Sequence, residues 1–496
     1  MEALIIFSLI VSSLVFFATY WALIKSKTSK NLPPGPPKFP ILGNIHQLGG
    51  PEGPHRVLKN MARKYGPIMH LQLGQVPTVI VSTPRLAQEV LKTHDAIFAD
   101  RPITEASTLF IYNAQDIVWA PYGNYWRQMR KISTMELLSA KRVRSYSFIR
   151  DEELMHMRKS LVSSAGKPTV LREFMVKYVN DVICRSTIGD TYKDQSALIE
   201  VLFDIMKAVI QFNVASYYPS MRFINIISGK RAKWLKTQKK FDNILEDILE
   251  QHRNNRTTLS HDQEDLVDVL LRVKETADLD LPITNDNVKA VILDMLVAGT
   301  SASSMILEWA MGELMRKPKV MKKAQDEIRA TVKGSTVTDS DIQNMHYMKM
   351  VVKETLRLHG PPFLIPRISR KDCVVDGYDI PAKTRILVNA LACATDPDSW
   401  EDPESFIPER FENSPINYWG ADFEFIPFGA GRRVCPGITF GVGIIENALA
   451  TLLYHFDWKL PGEMKPHELD LTEATALSTL PKHPIQVVPI IVSLEK

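Results

Sequence analysis

Cysteine is scarce in this chain. Only Cys184, Cys373, Cys393 and Cys435 occur in 496 residues, at none of the spacings of a disulfide framework or a cysteine-ligated metal. A stapled secreted scaffold is thereby excluded and a reducing compartment favoured. An excess of one charge is lacking too. The 60 Lys and Arg nearly balance 56 Asp and Glu, a net +4, and no basic stripe interleaves with aromatics, so no nucleic acid is expected as a partner. No G-x-G-x-x-G follows a strand-like run, so the sequence carries no dinucleotide-binding fingerprint. The 12 histidines show no ligand spacing, which predicts no histidine-bound metal, and no internal repeat is visible. What remains is ordinary globular material, 45% apolar and 23% charged, enough for a large core.

One uncharged apolar run stands out. Ala3 to Ile24, 22 residues broken only by three serines and a threonine, is long enough to span a bilayer and exceeds the apolar stretch of a cleaved signal. Lys25, Lys27 and Lys30 follow it, which by the positive-inside rule keeps the body in the cytosol. The expected organisation is a single-pass transmembrane anchor over 1–24, a basic and proline-rich hinge over 25–40, and a cytosolic catalytic unit over 41–496. The string "LPPGPP" cannot be helical and reads as a stiff connector.

Runs rich in β-branched residues at 67–82 and 363–390 predict small sheets near the two ends. Apolar periodicity predicts helices over 84–94, 124–138, 141–164, 171–188, 194–214, 231–255, 341–359 and 438–456, with a polar loop at 254–265. The longest helix opens on Thr284 as N-cap, with Asp286 in its first turn, and runs to about Arg316, because Pro318 disfavours helix at Lys317. The fold class is mainly α with small β-sheets, behind one N-terminal transmembrane helix.

Chemistry concentrates in "FGAGRRVCPG", residues 428–437. Glycines there relax the backbone, and Pro436 suits the first turn of a helix. Cys435 therefore stands near a helix N-terminus with Arg433 beside it, two conditions that favour a thiolate seeking a Lewis acid or an electrophile. A lone cysteine is more usually buried and inert. The full string, however, resembles the haem-ligating loop of the cytochrome P-450 family, and four further stretches agree: "ETLR", "PERF", "WRQMR" and "LPPGPP". Plant microsomal members of specialised metabolism look most similar, through "PYGNYWRQMRKI" and "KETLRLHGP".

The resemblance implies haem b, iron protoporphyrin IX, with Cys435 as the axial thiolate. It implies Trp126, Arg130, Arg367 and Arg433 at the propionates, and Ala298, Gly299, Phe428, Gly431 and Gly437 around the macrocycle. Glu354, Arg357 and Arg410 would form a buried structural ion-pair cluster. NADPH would supply electrons through a separate NADPH-cytochrome reductase, with dioxygen and a small hydrophobic terpenoid or alkaloid as substrates, at the endoplasmic reticulum membrane. The alternatives are a haem-dependent isomerase or dehydratase of hydroperoxides that needs no reductase, and a haem-binding protein without turnover.

Within the long helix the chain departs from the family. Where the pattern has an acid followed by an alcohol, the sequence Ala298, Gly299, Thr300, Ser301, Ala302, Ser303 places Ser301 and Ala302. That pair normally relays protons toward dioxygen; alanine donates none, and serine is a poor acid. Either Ser301, Ser303 or an ordered water substitutes, or the substrate's own hydroxyl or amine does, or the reaction closes a ring or forms a double bond without inserting oxygen. The glycine itself admits two readings, close packing on another helix or room for a porphyrin. By family position the substrate pocket would be lined by Phe110, Ile111, Phe212, Val291, Met295, Phe363, Leu364, Ile365, Leu477 and Leu480, with Asp294 and Asn113 as polar contacts.

Overall fold

The computed structural model describes residue 12 and residues 31–210, 213–255, 264–276, 280–361, 363–474 and 480–492. The predicted anchor, apart from residue 12, lies outside them, as do Phe212 and Leu477.

The axis of the molecule is the helix Asn285–Arg316. Thr284 caps it as the sequence predicts: its hydroxyl accepts from Asn287 N–H at 3.3 Å, and the Asn287 side chain accepts from Thr284 N–H at 2.8 Å. Against this central helix pack Leu171–Ile188, His346–His359 and the closing helix Ile438–His455. One apolar core joins them, with Trp309, Leu314, Val182 and Leu449 wholly buried. The central and closing helices are long and apolar enough to cross a membrane, but both are largely buried inside the protein and serve as core helices.

Nine strands are present among the described residues: β1 Ile68–Leu73, β2 Val76–Val81, β3 Thr169–Val170, β4 Leu364–Ile368, β5 Cys373–Val375, β6 Tyr378–Ile380, β7 Arg385–Asn389, β8 Phe456–Lys459 and β9 Gln486–Ile491. The expectation of separate sheets near the two ends is corrected. β2 runs parallel to β7, so both β-rich regions form one sheet in the order β1-β2-β7-β4. A parallel pairing across so long a crossover leaves no local sequence signal.

Several helices escaped the periodicity reading: Pro54–Tyr65, Glu105–Phe110, Leu266–Thr276 and Pro318–Thr331. Pro54 and Pro318 each occupy the first helical position, where proline starts a helix rather than stopping one. The expected 141–164 helix divides at Tyr146, and the expected 194–214 helix stops at Ile210.

The described part of the proline-rich connector lies on the body. Asn31 N–H donates to the Asp379 carboxylate at 2.8 Å and Asp379 N–H returns a bond to the Asn31 carbonyl at 2.7 Å. Further on, His70 N–H donates to the Pro34 carbonyl at 2.8 Å. Residues of the connector at Asn31 and Pro34 are thus bonded to the body.

Candidate active site

The Cys435 loop is held by its backbone. Cys435 N–H donates to the Phe428 carbonyl at 2.9 Å and Val434 N–H to the Gly431 carbonyl at 3.0 Å. Gly431 has φ +69°, and a Cβ there would lie 1.8 Å from the Leu91 carbonyl oxygen, so no side chain fits. The closing helix starts just beyond, with Gly437 at its N-cap. Burial pushes the Cys435 thiol up, while Gly437 N–H, Arg130 and Arg101 favour the thiolate.

Arg433, expected beside the thiol, turns elsewhere. It donates to the carbonyls of Ala99, at 2.8 Å, and Ala120, and its guanidinium lies 4.3 Å from the Trp126 ring centroid. The Trp126 indole N–H in turn donates to the Ile117 carbonyl at 3.0 Å.

Arginines accumulate at this place without counterions. Arg130 donates to the Val434 carbonyl. Arg367 is only 2% exposed and bonds the carbonyl of its neighbour Pro366. Burial first, then the charges of Arg101 and Arg433, hold its guanidinium well below the usual range. Arg101, which the sequence reading missed, has a buried Nε with no hydrogen-bond partner. Burial lowers it, against the pull of Asp116, Asp294 and Cys435. Among the described residues none of these four arginines forms an ion pair. Four converging guanidiniums beside a thiol call for bound carboxylates. The signal available in the sequence was Arg101 itself, a basic residue within the apolar stretch "IFADRPI".

Asp294 does not reach toward a substrate. It is buried, accepts Ile117 N–H at 2.9 Å, and lies against Asp116. Asp116 accepts from Trp119 and Ala120 N–H at 2.8 and 2.9 Å. Burial, then the Asp116 charge, raises Asp294 well above the carboxylate range, so Asp294 carries the proton of the pair. The couple fastens loop 111–120 to the central helix. Asn113, in a left-handed turn at φ +59°, donates its N–H to the Thr108 carbonyl.

Along the central helix the buried surface opens around Ala298, which is exposed, with Met295, Val297, Gly299, Ser301 and Ala302 half-buried. Thr300 and Ser303 are not part of that opening. Both are buried, Ser303 against Gly441 of the closing helix. The Ser301 hydroxyl donates to the Val297 carbonyl at 2.7 Å. Gly299 answers to a neighbouring helix, because a Cβ there would come 2.6 Å from Ile183 Cδ1. Close packing on the helix of Ile183 therefore bears on this glycine, which is itself half-buried beside the exposed Ala298.

Glu354, Arg357 and Arg410 meet as the sequence implied. Glu354 accepts from Arg357 Nε at 2.7 Å and Nη2 at 2.8 Å, from Arg410 Nε at 2.9 Å and from Ile407 N–H at 2.8 Å. The remaining guanidinium protons reach carbonyls of Ala394, Pro403 and Ser405. From this cluster an aromatic series leads to the cysteine loop: Trp400, Phe411, Phe425, Tyr418 and Phe428, with centroids 5.3–6.2 Å apart.

Of the candidate substrate-pocket residues, Phe110, Ile111 and Val291 lie in the main core, with Met295 packed partly exposed against it. Leu364 and Ile365 do not share a pocket: they alternate across β4, Leu364 toward the cluster of Met69 and Leu71, Ile365 toward that of Ile68 and Val79. Phe363 lies tilted against His55, with ring centroids 4.3 Å apart, and Leu480 packs partly exposed against the main core.

The sequence profile of the cytochrome P450 family matches residues 33–488. The chain belongs to the cytochrome P450 family. A costunolide synthase of Cichorium intybus is 66% identical over 492 residues, covering 99% of each chain. A germacrene A acid 8-beta-hydroxylase of Helianthus annuus is 61% identical over 493 residues, 99% of this chain and 100% of that one. The fold matches a zebrafish cytochrome P450 solved with abiraterone at a TM-score of 0.76 and 24% identity, over 88% of this chain and 99% of that one. This P450 is thus an oxidoreductase of a family that binds haem and draws electrons from a separate NADPH-dependent reductase. The site fits that cofactor: a thiol, and unpaired buried arginines for a macrocycle with two carboxylates.

Proposed function

We propose that this P450 is a haem-thiolate monooxygenase that oxidises a germacrane-type sesquiterpenoid. The observation that carries the reading is the pairing of the Cys435 loop with four arginines that form no ion pair among the described residues, Arg367 and Arg433 buried and Arg101 and Arg130 half-buried, joined to relatives named for costunolide and germacrene A acid. Cys435 would ligate the iron, and Arg101, Arg130, Arg367 and Arg433 would hold the propionates. Ala298, Phe428, Gly431 and Gly437 would border the ring. When bound, haem supplies reductive activation of dioxygen. This chain's residues do the rest. The half-buried Met295 would border the substrate space, and the Asp116–Asp294 pair holds loop 111–120 to the central helix. Ala302 offers no proton, and Ser301 is bonded to its own helix, so proton supply falls to water at the Ala298–Ala302 opening.

Endoplasmic reticulum attachment is part of the proposal. Phe39, Ile41 and Leu42 are exposed near Phe223, Ile226 and Ile227, and the two groups are tied by a Tyr218 hydroxyl bond to the Ile41 carbonyl. Such a patch suits a membrane face. The missing acid–alcohol pair also favours a second reading, ring closure or desaturation without net oxygen insertion.

Reconstitution with reductase and a germacrane substrate decides between them by product mass. Run under 18O-labelled dioxygen, a product that carries the label, as an added hydroxyl or after loss of water as a lactone two hydrogens lighter, supports the first reading, and an unlabelled product lighter by two hydrogens the second. In Ala302→Thr the added hydroxyl should raise coupling of NADPH use to product by about twofold or more, since a positioned general acid contributes far more than that. Unchanged coupling would mean that the absent alcohol never limited turnover. A Cys435→Ala variant that kept the thiolate-type Soret band of the reduced, carbon monoxide-bound protein would overturn the ligand assignment.

A further inference from the structure

A cavity of about 140 Å³ lies where residues 102–105, the segment 213–222, Ile368 at the end of β4 and Arg385 at the start of β7 meet. Its volume is below the roughly 300–1,000 Å³ of whole-ligand sites, so it admits a polar head rather than a complete terpenoid. Three cations line it, Arg222, Lys383 and Arg385. Among the described residues none of the three forms an ion pair. Arg385 donates to the Ser216 carbonyl at 3.3 Å and lies against the Tyr217 ring, but its buried Nε has no partner. The one acid on the wall, Glu105, is already committed to Asn225 at 2.6 Å and to Arg231 at 3.3 Å.

Position completes the argument. The cavity abuts the exposed apolar group of Phe223, Ile226 and Ile227, and its wall at Pro102 and Ile368 adjoins Arg101 and Arg367 in the chain. A ligand approaching along that surface would present an apolar body outside and an anionic head to three unpaired cations.

We infer that this cavity is a carboxylate-recognition subsite at the mouth of the substrate space, with Arg385 as its anchor and Lys383 and Arg222 on its rim. The substrate class is an amphiphilic terpene carboxylic acid, which deepens the function proposed above and rests on it. A planar guanidinium suits a carboxylate better than an ammonium does, and the excess of positive charge discriminates against neutral terpenes.

The test is binding of a sesquiterpene carboxylic acid and of its methyl ester to the full-length holoenzyme in neutral detergent, by calorimetry and by the Soret shift. Wild type should prefer the acid by about tenfold or more, and Arg385→Gln should shrink that preference to about twofold while leaving the ester unchanged. Arg385→Lys should recover part of it. If Arg385→Gln does not fold, the exposed rim pair Lys383→Gln/Arg222→Gln should still weaken the acid alone by about threefold at low salt, and should make acid binding less sensitive to salt than in wild type. Equal affinity of wild type for acid and ester overturns the inference, as does equal weakening of both in the variants. So does an effect confined to binding of anionic-lipid vesicles, which would assign the cations to headgroup phosphates. Oxidation of the ester and of neutral sesquiterpenes without acid preference would sink this inference and leave the proposed function standing. Failure to bind or oxidise any sesquiterpenoid would remove both.

Discussion

Gly299→Ala separates the two uses of a small residue in the central helix. An added Cβ would sit 2.6 Å from Ile183 Cδ1 and 3.1 Å from Cγ1, well inside the roughly 3.5–4.0 Å of a relaxed carbon contact. Replacing glycine in a helix interior returns about 1 kcal/mol of propensity. Overpacking takes about 1–3 kcal/mol away, and the nearest atom is the flexible tip of a side chain, so the net loss should be about 1 kcal/mol. Ile183→Val alone should cost about 0.5–1.5 kcal/mol through the methyl it removes. In the double variant the alanine methyl occupies the space that Cδ1 vacated. The pair should then couple favourably by about 1–2 kcal/mol, beyond the roughly 0.5 kcal/mol of additivity error. Urea denaturation followed by tryptophan fluorescence gives the cycle. The carbon monoxide difference spectrum, taken in parallel, should show the thiolate-type Soret band intact in all four proteins. Additive effects would refute the packing argument. Loss of the band in Gly299→Ala that Ile183→Val fails to restore would return the glycine to the porphyrin.

Two further outcomes are expected. Glu354→Gln strips the charge that Arg357 and Arg410 share; an uncompensated buried pair should destabilise by about 3–5 kcal/mol, and the fraction of protein with a thiolate-type Soret band should fall with it. Glu446, on the closing helix, is pushed from 4.5 up to about 7 by burial, against the pull of Lys349 and Lys353. The folded state therefore holds a proton that the unfolded chain has released, and stability falls as pH rises from about 4.5 to 7, by about 1.4 kcal/mol for each pH unit crossed. Glu446→Gln should match wild type at pH 4.5 and exceed it by about 3 kcal/mol at pH 8 in urea titrations; a gain of equal size at both pH values would contradict the assignment.

The sequence made legible what short-range chemistry dictates. The Thr284 capping box, the helix 171–188 and the hairpin at 67–82 follow from periodicity and caps, because their partners lie a few residues away. The Glu354–Arg357 pair was readable for the same reason, one helical turn apart, and Arg410 joined them only through family resemblance. Non-local facts were not readable. Nothing in the string near Gly299 announces Ile183, nothing near β2 announces β7, and Arg433 beside Cys435 in sequence points its guanidinium at Ala99 and Ala120 instead. Arg101 and Arg385 acquire meaning only when burial strips them of partners.

The seam between the proline-rich strand and the body has a practical consequence. A soluble version designed on composition would begin at residue 41, after the last proline of the connector. That cut would remove the Asn31–Asp379 clasp and uncover the His70 amide that the Pro34 carbonyl now covers. The shortened enzyme would carry a raw sheet edge, open to pairing with its own copies. Trimming ahead of Asn31 keeps that edge closed, and with it the hold of the connector on β1 and on the β5–β6 hairpin.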